Sequence, residues 1–254
     1  MNNHKKILLF SAGIFFALSC GQSFAAEIRI AVASNFSRPM QELAAKFEKE
    51  GGHKVTLAFG SSGKHYAQIR NGAPFDAFFA ADRERPELLE REGLAISGSR
   101  CTYAVGRLVL WSPKADFVDA EGKVLEQGGF NHIAIANPKL APYGAAAGEV
   151  LRQRGLWDSL QDKLVRGENI GQAYQFVHSG NAELGFVAYS QVIQPGGDAA
   201  GSIWEIPQSL YAPIEQQAVL LKDSAAAREF ATFLKSDAAR KIITEYGYGL
   251  PDVK

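Results

Sequence analysis

Read for its hydrophobic and polar positions, the chain falls into short apolar runs, each followed by a stretch of helical period. Residues 28–33 are apolar and β-prone and stop at Ser34-Asn35. Met40, Leu43, Ala44 and Phe47 then recur at helical spacing behind Pro39, until Gly51-Gly52 ends the run. A second strand is predicted over 55–59, closed by Gly60-Ser61-Ser62-Gly63, with a short helix from about Lys64 to Asn71. Residues 77–80 form a nearly continuous apolar strand of the kind buried in parallel sheets. The pattern repeats: strands over 108–111, 133–136 and 183–188 alternate with helices over 145–155 and from Glu168 to Gly180. Two helices near 225–234 and 237–246 close the chain, and the segment 216–221 reads as a strand returning to the first half. This βαβαβ winding, met twice, predicts an α/β protein of two lobes, each with a mixed, mostly parallel sheet flanked by helices.

Ahead of the pattern, Lys5 and Lys6 precede an apolar run over 7–18, and Ser23-Phe24-Ala25 sets small residues where a signal peptidase reads. The run is shorter than the roughly 20 residues that cross a bilayer. It predicts an export signal over 1–25, cleaved near Ala25, and a periplasmic location. Lipid attachment at Cys20, in Ala17-Leu18-Ser19-Cys20, is the less favoured alternative. Removal of the leader leaves Cys101 as the one thiol, so stability rests on the core rather than on a disulfide.

With 46% hydrophobic and 21% charged residues, the 254-residue chain has the composition of a folded globular protein. Its 27 basic and 27 acidic residues balance, which gives no global field to gather nucleic acid. A polar partner is therefore recognised by local geometry. In open α/β sheets that geometry lies beyond the carboxyl ends of the strands, where helix N-termini present unpaired N–H groups. Four such turns carry small polar residues or a phenol: Ser34-Asn35, Ser61-Ser62, Pro142-Tyr143-Gly144 and Glu168-Asn169-Ile170. Each alone reads as an ordinary helix start. Together they predict convergence on one cleft.

Enzyme signatures are missing. The five histidines contain no pair at metal-ligand spacing. Gly60-Ser61-Ser62-Gly63-Lys64 is neither a phosphate loop, since Ala58 and His65 stand at two of its key positions, nor a nucleophile elbow. An exported hydrolase using Ser62 is the class-level rival, without a motif-bound histidine and acid. Asp76 and Asp82 read as capping or solvated groups, and Arg38, Lys64 and Lys139 as exposed cations.

The segments Ala31-Val32-Ala33-Ser34-Asn35-Phe36, Gly60-Ser61-Ser62-Gly63, Gly72-Ala73-Pro74-Phe75-Asp76, Ala80-Ala81-Asp82, Ile135-Ala136-Asn137-Pro138, Ala141-Pro142-Tyr143-Gly144, Gly171-Gln172-Ala173 and Gly185-Phe186-Val187-Ala188 together resemble the periplasmic molybdate-binding proteins of the ModA type. These are the substrate-binding subunits of molybdate ABC transporters. The resemblance spans the chain beyond the leader. It implies a two-lobed periplasmic binding protein fold of class II, with one lobe over 26–105 plus 216–254 and the other over 106–215. It also implies a monomer that delivers its ligand to a membrane permease, with no cofactor and no nucleic-acid partner.

Carried over by position, the anion contacts are Ser34, Asn35, Ser62, Tyr143 and the backbone N–H of Ile170. The ligand is molybdate or tungstate, so the metal is held only as its oxyanion. One branch of the family has alanine at the place of Tyr143 and tyrosine at that of Ala188; here Tyr143 supplies the phenol. Tyr189 is expected on the far side of a strand, outside the site. A proton-free oxyanion only accepts hydrogen bonds, which suits a site of N–H and O–H donors. The same reasoning leaves sulfate, or another tetrahedral oxyanion, as an alternative guest. Closure of the lobes is expected, with hinges near Val105 and Ala218.

Overall fold

A computed structural model describes residues 26–193 and 199–251. The predicted export signal, its cleavage point and Cys20 lie outside the described residues.

The first lobe comprises β1 (Glu27–Ala33), α1 (Ser37–Gly51), β2 (Lys54–Gly60), α2 (Ser62–Arg70), β3 (Ala77–Phe79), α3 (Glu84–Arg91) and β4 (Cys101–Gly106). The second holds β5 (Leu108–Ser112), α4 (Val124–Gln127), β6 (Ile133–Ala136), α5 (Pro142–Gln153), β7 (Leu164–Gly167), α6 (Ile170–His178), β8 (Leu184–Ala188), α7 (Tyr189–Val192) and β9 (Ser202–Glu205). The chain then returns through β10 (Ile214–Leu220), α8 (Ala225–Phe233) and α9 (Asp237–Glu245). Strand order is β2-β1-β3-β10-β4 in one sheet and β7-β6-β8-β5-β9 in the other. Three parallel strands lead each sheet, and the last two are added antiparallel. Parallel and antiparallel pairings are thus equal in number, a finer split than the apolar runs suggest.

The strands form because their residues are apolar and are covered on both faces. Ile30, Val32, Phe79 and Ala104 meet Phe36, Met40, Leu43 and Phe230 from the helices of the first lobe. Its rings pack edge-on, as in Phe36–Tyr103 at 4.7 Å and Phe47–Phe230 at 5.0 Å between centroids. The second core is mainly aliphatic, with Ile133, Ile135, Val150, Leu151, Leu184 and Val187. Helix starts are capped where the sequence offers a hydroxyl or amide. Ser61 accepts from Lys64 N, Asn169 from Gln172 N, Ser224 from Ala227 N and Ser236 from Ala239 N.

A single residue, Arg107, separates β4 from β5, and a short connection after Leu210 leads into β10. The expected hinge near Ala218 falls elsewhere, because Ala218 is mid-strand and paired with Phe79 on one side and Cys101 on the other. Opposite Gln216 the ladder shifts register, so that β4 carries one extra residue, Tyr103, between Ala104 and Thr102.

Candidate anion-binding site

The four strand-to-helix turns meet at one small cavity between the lobes. It is lined by Ala33, Ser34, Asn35, Gly60, Ser61, Ser62 and Ala81 from the first lobe, and by Ala141, Pro142, Tyr143 and Ile170 from the second. All five sequence-predicted contacts are therefore on its wall. It is small: the centre of a water-sized sphere has only about 10 Å³ in which to move, room for one small guest. No charged side chain lines it. Two wider grooves flank it and form the mouths of the same cleft. One shares Ala81, Ala141 and Pro142, and the other shares Ser34 and Asn35.

Donors come from helix starts. Ser62 and Ile170 are the first residues of α2 and α6, and Tyr143 is the second of α5. N–H groups at these positions have no intrahelical acceptor, and the dipoles of three helices turn their positive ends to the cavity. The start of α5 is the most open. Ala141 has no side chain that can cap it, and Pro142 has no N–H to offer.

The hydroxyls are held by backbone groups. Ser62 Oγ accepts from Ala81 N at 2.9 Å, which leaves its proton free for the cavity. Ser34 Oγ accepts from Gly171 N at 3.1 Å and donates its proton to Asn169 Oδ1 at 3.0 Å, so this hydroxyl joins the two lobes. Asn35 takes a different part from its neighbours. Its Nδ2 donates to Gln216 Oε1 at 2.8 Å and to the Tyr248 hydroxyl at 3.0 Å, while its Oδ1 is buried without a partner. Its side-chain amide is thus committed to the wall behind the cavity.

Tyr143 is 1% exposed, and its hydroxyl accepts from Gln216 Nε2 at 3.2 Å. Burial, reinforced by the neighbouring Tyr248, Tyr103 and Tyr211, holds this phenol well above its ordinary pKa, against the opposing hydrogen bond from Gln216. It remains a proton donor at any physiological pH. The phenol reaches the first sheet through a gap at Gly106. A Cβ there would stand 2.1 Å from the Tyr143 oxygen and 2.7 Å from Gln216 Nε2. Gly63 allows a second close approach, donating its N–H to the Leu140 carbonyl of the other lobe at 2.9 Å.

Other candidates fall outside the wall. Asp82 Oδ1 accepts from Arg85 N at 2.9 Å, and Asp76 braces Arg29 N at 2.6 Å and Lys222 Nζ at 2.9 Å. Lys64 pairs with Glu168 at 3.1 Å on the surface, and Arg38 donates to the Ile193 carbonyl at 3.2 Å. Tyr189 is set apart for a reason other than the one expected. The strand ends at Ala188, and Tyr189 begins α7 with its ring under Arg107. Gln216, Ser190 and Tyr248 are not singled out by sequence, and Ser61 is named there only as part of its turn. Their one signal is the adjacent polar pair Gln216-Gln217 inside an otherwise apolar strand.

The family of bacterial extracellular solute-binding proteins matches residues 28–249. Molybdate-binding protein ModA of Azotobacter vinelandii is 52% identical over 247 residues, 96% of each chain. The protein of the same name from Rhodobacter capsulatus is 52% identical over 227 residues, 88% of each chain. Among solved structures, the Azotobacter vinelandii periplasmic molybdate-binding protein superposes with a TM-score of 0.87 at 46% identity, covering 89% of this chain and all of that one. The sulfate-binding protein SubI from Mycobacterium tuberculosis shares the fold at 15% identity, with a TM-score of 0.69 over 89% of this chain and 88% of that one. A fold of two five-stranded lobes, an inter-lobe cavity of helix N-termini and half-identical relatives of the same length lead to one assignment: the chain belongs to the bacterial extracellular solute-binding proteins, in the ModA family.

Proposed function

We propose that this protein binds molybdate, and tungstate with it, in the periplasm and delivers the ion to the membrane permease of an ABC transporter. The observation that carries this reading is a wall made only of neutral groups, with hydroxyls and helix-initial N–H groups drawn from both lobes. A tetrahedral ion without protons accepts hydrogen bonds alone, and each charge-assisted bond is worth about 1.5–3 kcal/mol. The ModA relatives, named as molybdate-binding proteins, support the choice of ion. They are also binding proteins rather than enzymes. Ser62 accordingly acts as a donor, with its oxygen tied to Ala81 N rather than to an imidazole.

The finer parts of the reading are an export signal removed near Ala25, a monomeric carrier and direct ligation through Ser34, Asn35, Ser62, Tyr143 and Ile170. Calorimetric competition among molybdate, tungstate and sulfate tests the function. The two metal oxyanions are expected to displace each other, with sulfate far weaker. Tight sulfate binding with no molybdate heat would replace this reading by that of a sulfate carrier.

A further inference from the structure

Behind the cavity lies a buried polar cluster that the anion contacts alone do not explain. Gln216 is fully buried in β10, opposite the register shift that adds Tyr103 to β4. Its Oε1 receives Asn35 Nδ2 at 2.8 Å and the Tyr103 hydroxyl at 2.9 Å, while its Nε2 donates to the Tyr143 hydroxyl at 3.2 Å.

The direction of this chain is set from its far end. The Tyr248 hydroxyl donates to the Asn35 carbonyl at 2.7 Å and so accepts from Asn35 Nδ2 at 3.0 Å. Asn35 therefore presents its NH₂ to Gln216, which must answer with its oxygen. The Gln216 NH₂ is then left for Tyr143. Turning that amide over would set two NH₂ groups against each other. With its oxygen already accepting from Gln216, the phenol has one proton left, which a bound anion would take in preference to the neutral Tyr248 hydroxyl that also neighbours it. Bonds aligned donor to acceptor in this way also polarise one another in a dry interior.

Resting on the function proposed above, we propose that Gln216 is a positioning residue which fixes Tyr143 as a hydrogen-bond donor to the cavity and so restricts the site to oxyanions that carry no proton. If the residue beside the phenol accepted its proton instead, the phenol would turn a lone pair to the guest. A singly protonated oxyanion such as hydrogen phosphate would then find the acceptor that the native wall withholds.

The test is calorimetry of the full chain with molybdate and with inorganic phosphate, for Gln216→Glu, Gln216→Met and each of these combined with Tyr143→Phe. Gln216→Glu is expected to weaken molybdate about 100-fold, because the carboxylate takes the phenol's proton and adds charge nearby. The molybdate-to-phosphate affinity ratio should fall in the same variant. Gln216→Met, which keeps the volume and buries no charge, should shift the ratio in the same direction by a smaller factor. In the Tyr143→Phe background both shifts in ratio should largely vanish, an outcome that a packing role would not produce. A folded Gln216→Met variant with the native ratio overturns the proposal, as does an equal shift with and without the phenol. Absence of molybdate binding by the unsubstituted chain would instead sink the proposed function itself.

Discussion

The two lobes share a strand order, yet they prepare their halves of the cavity differently. In the first, the Ser62 turn is braced from within: Ser62 Oγ is fixed by Ala81 N, and Ser61 caps α2, all inside one lobe. In the second, the groups are finished by the other lobe. The Tyr143 hydroxyl is held by Gln216 across the gap at Gly106, and the Gly171 N–H is directed onto Ser34 Oγ. The cores differ in the same sense, interlocked aromatic rings in the first and aliphatic layers in the second. The Ser62 turn is therefore finished on one side, while Ser34 and the second-lobe groups depend on apposition of the lobes. The lesson is that matching topology does not require matching chemistry.

The strongest way to break this asymmetry is Gly106→Ala. The added methyl would overlap the Tyr143 oxygen and crowd Gln216, so closure and the phenol contact fail together. Molybdate affinity by calorimetry should drop about 100-fold or more, while the thermal unfolding midpoint changes much less. Ser62→Ala attacks the internally braced half. It removes one donor and leaves Ala81 N unpaired, for a loss of about 1–3 kcal/mol, or one to two decades in Kd.

His65 sharpens the comparison through pH. Its ring is buried under the first half-site with Nε2 unpartnered, and burial holds its pKa below the ordinary 6.5. The folded state thus keeps the neutral ring, and its contribution is fully present above pH 6.5 and lost as pH falls below that value toward the folded pKa. The unfolding midpoint should fall between pH 7 and 5, and less so in His65→Gln. The smallest effect belongs to Lys64→Ala, which removes a half-exposed cross-lobe pair with Glu168. At about 0–1 kcal/mol, it should change molybdate affinity no more than a few-fold and less still in high salt.

Much of this was legible in the chain because the change from period 2 to period 3.6 marks each strand-to-helix turn. Ser34, Ser62, Tyr143 and Ile170 all sit at such a change. Elements without a clean period were missed. α3 is mostly charged, with Pro86 and Leu89 its only buried residues, and β7 is an edge strand with Arg166 exposed. The wall behind the cavity was hidden for another reason. Gln216 interrupts an apolar strand, and Tyr248 and Ser190 come from distant segments, so only the fold brings them to Asn35. A polar residue in a strand interior gives no sign of which partner it will meet.

Arg107 gives the joint between the lobes its character. With one residue between β4 and β5, any opening would be concentrated in a few backbone torsions, a swing rather than a slide. The joint is also clasped, since the Arg107 guanidinium lies over the Tyr189 ring, pairs with Glu205, and its carbonyl accepts from Tyr189 N. A pivot so short would confine a moving half to one arc, so that jaws once parted would meet again in the same alignment.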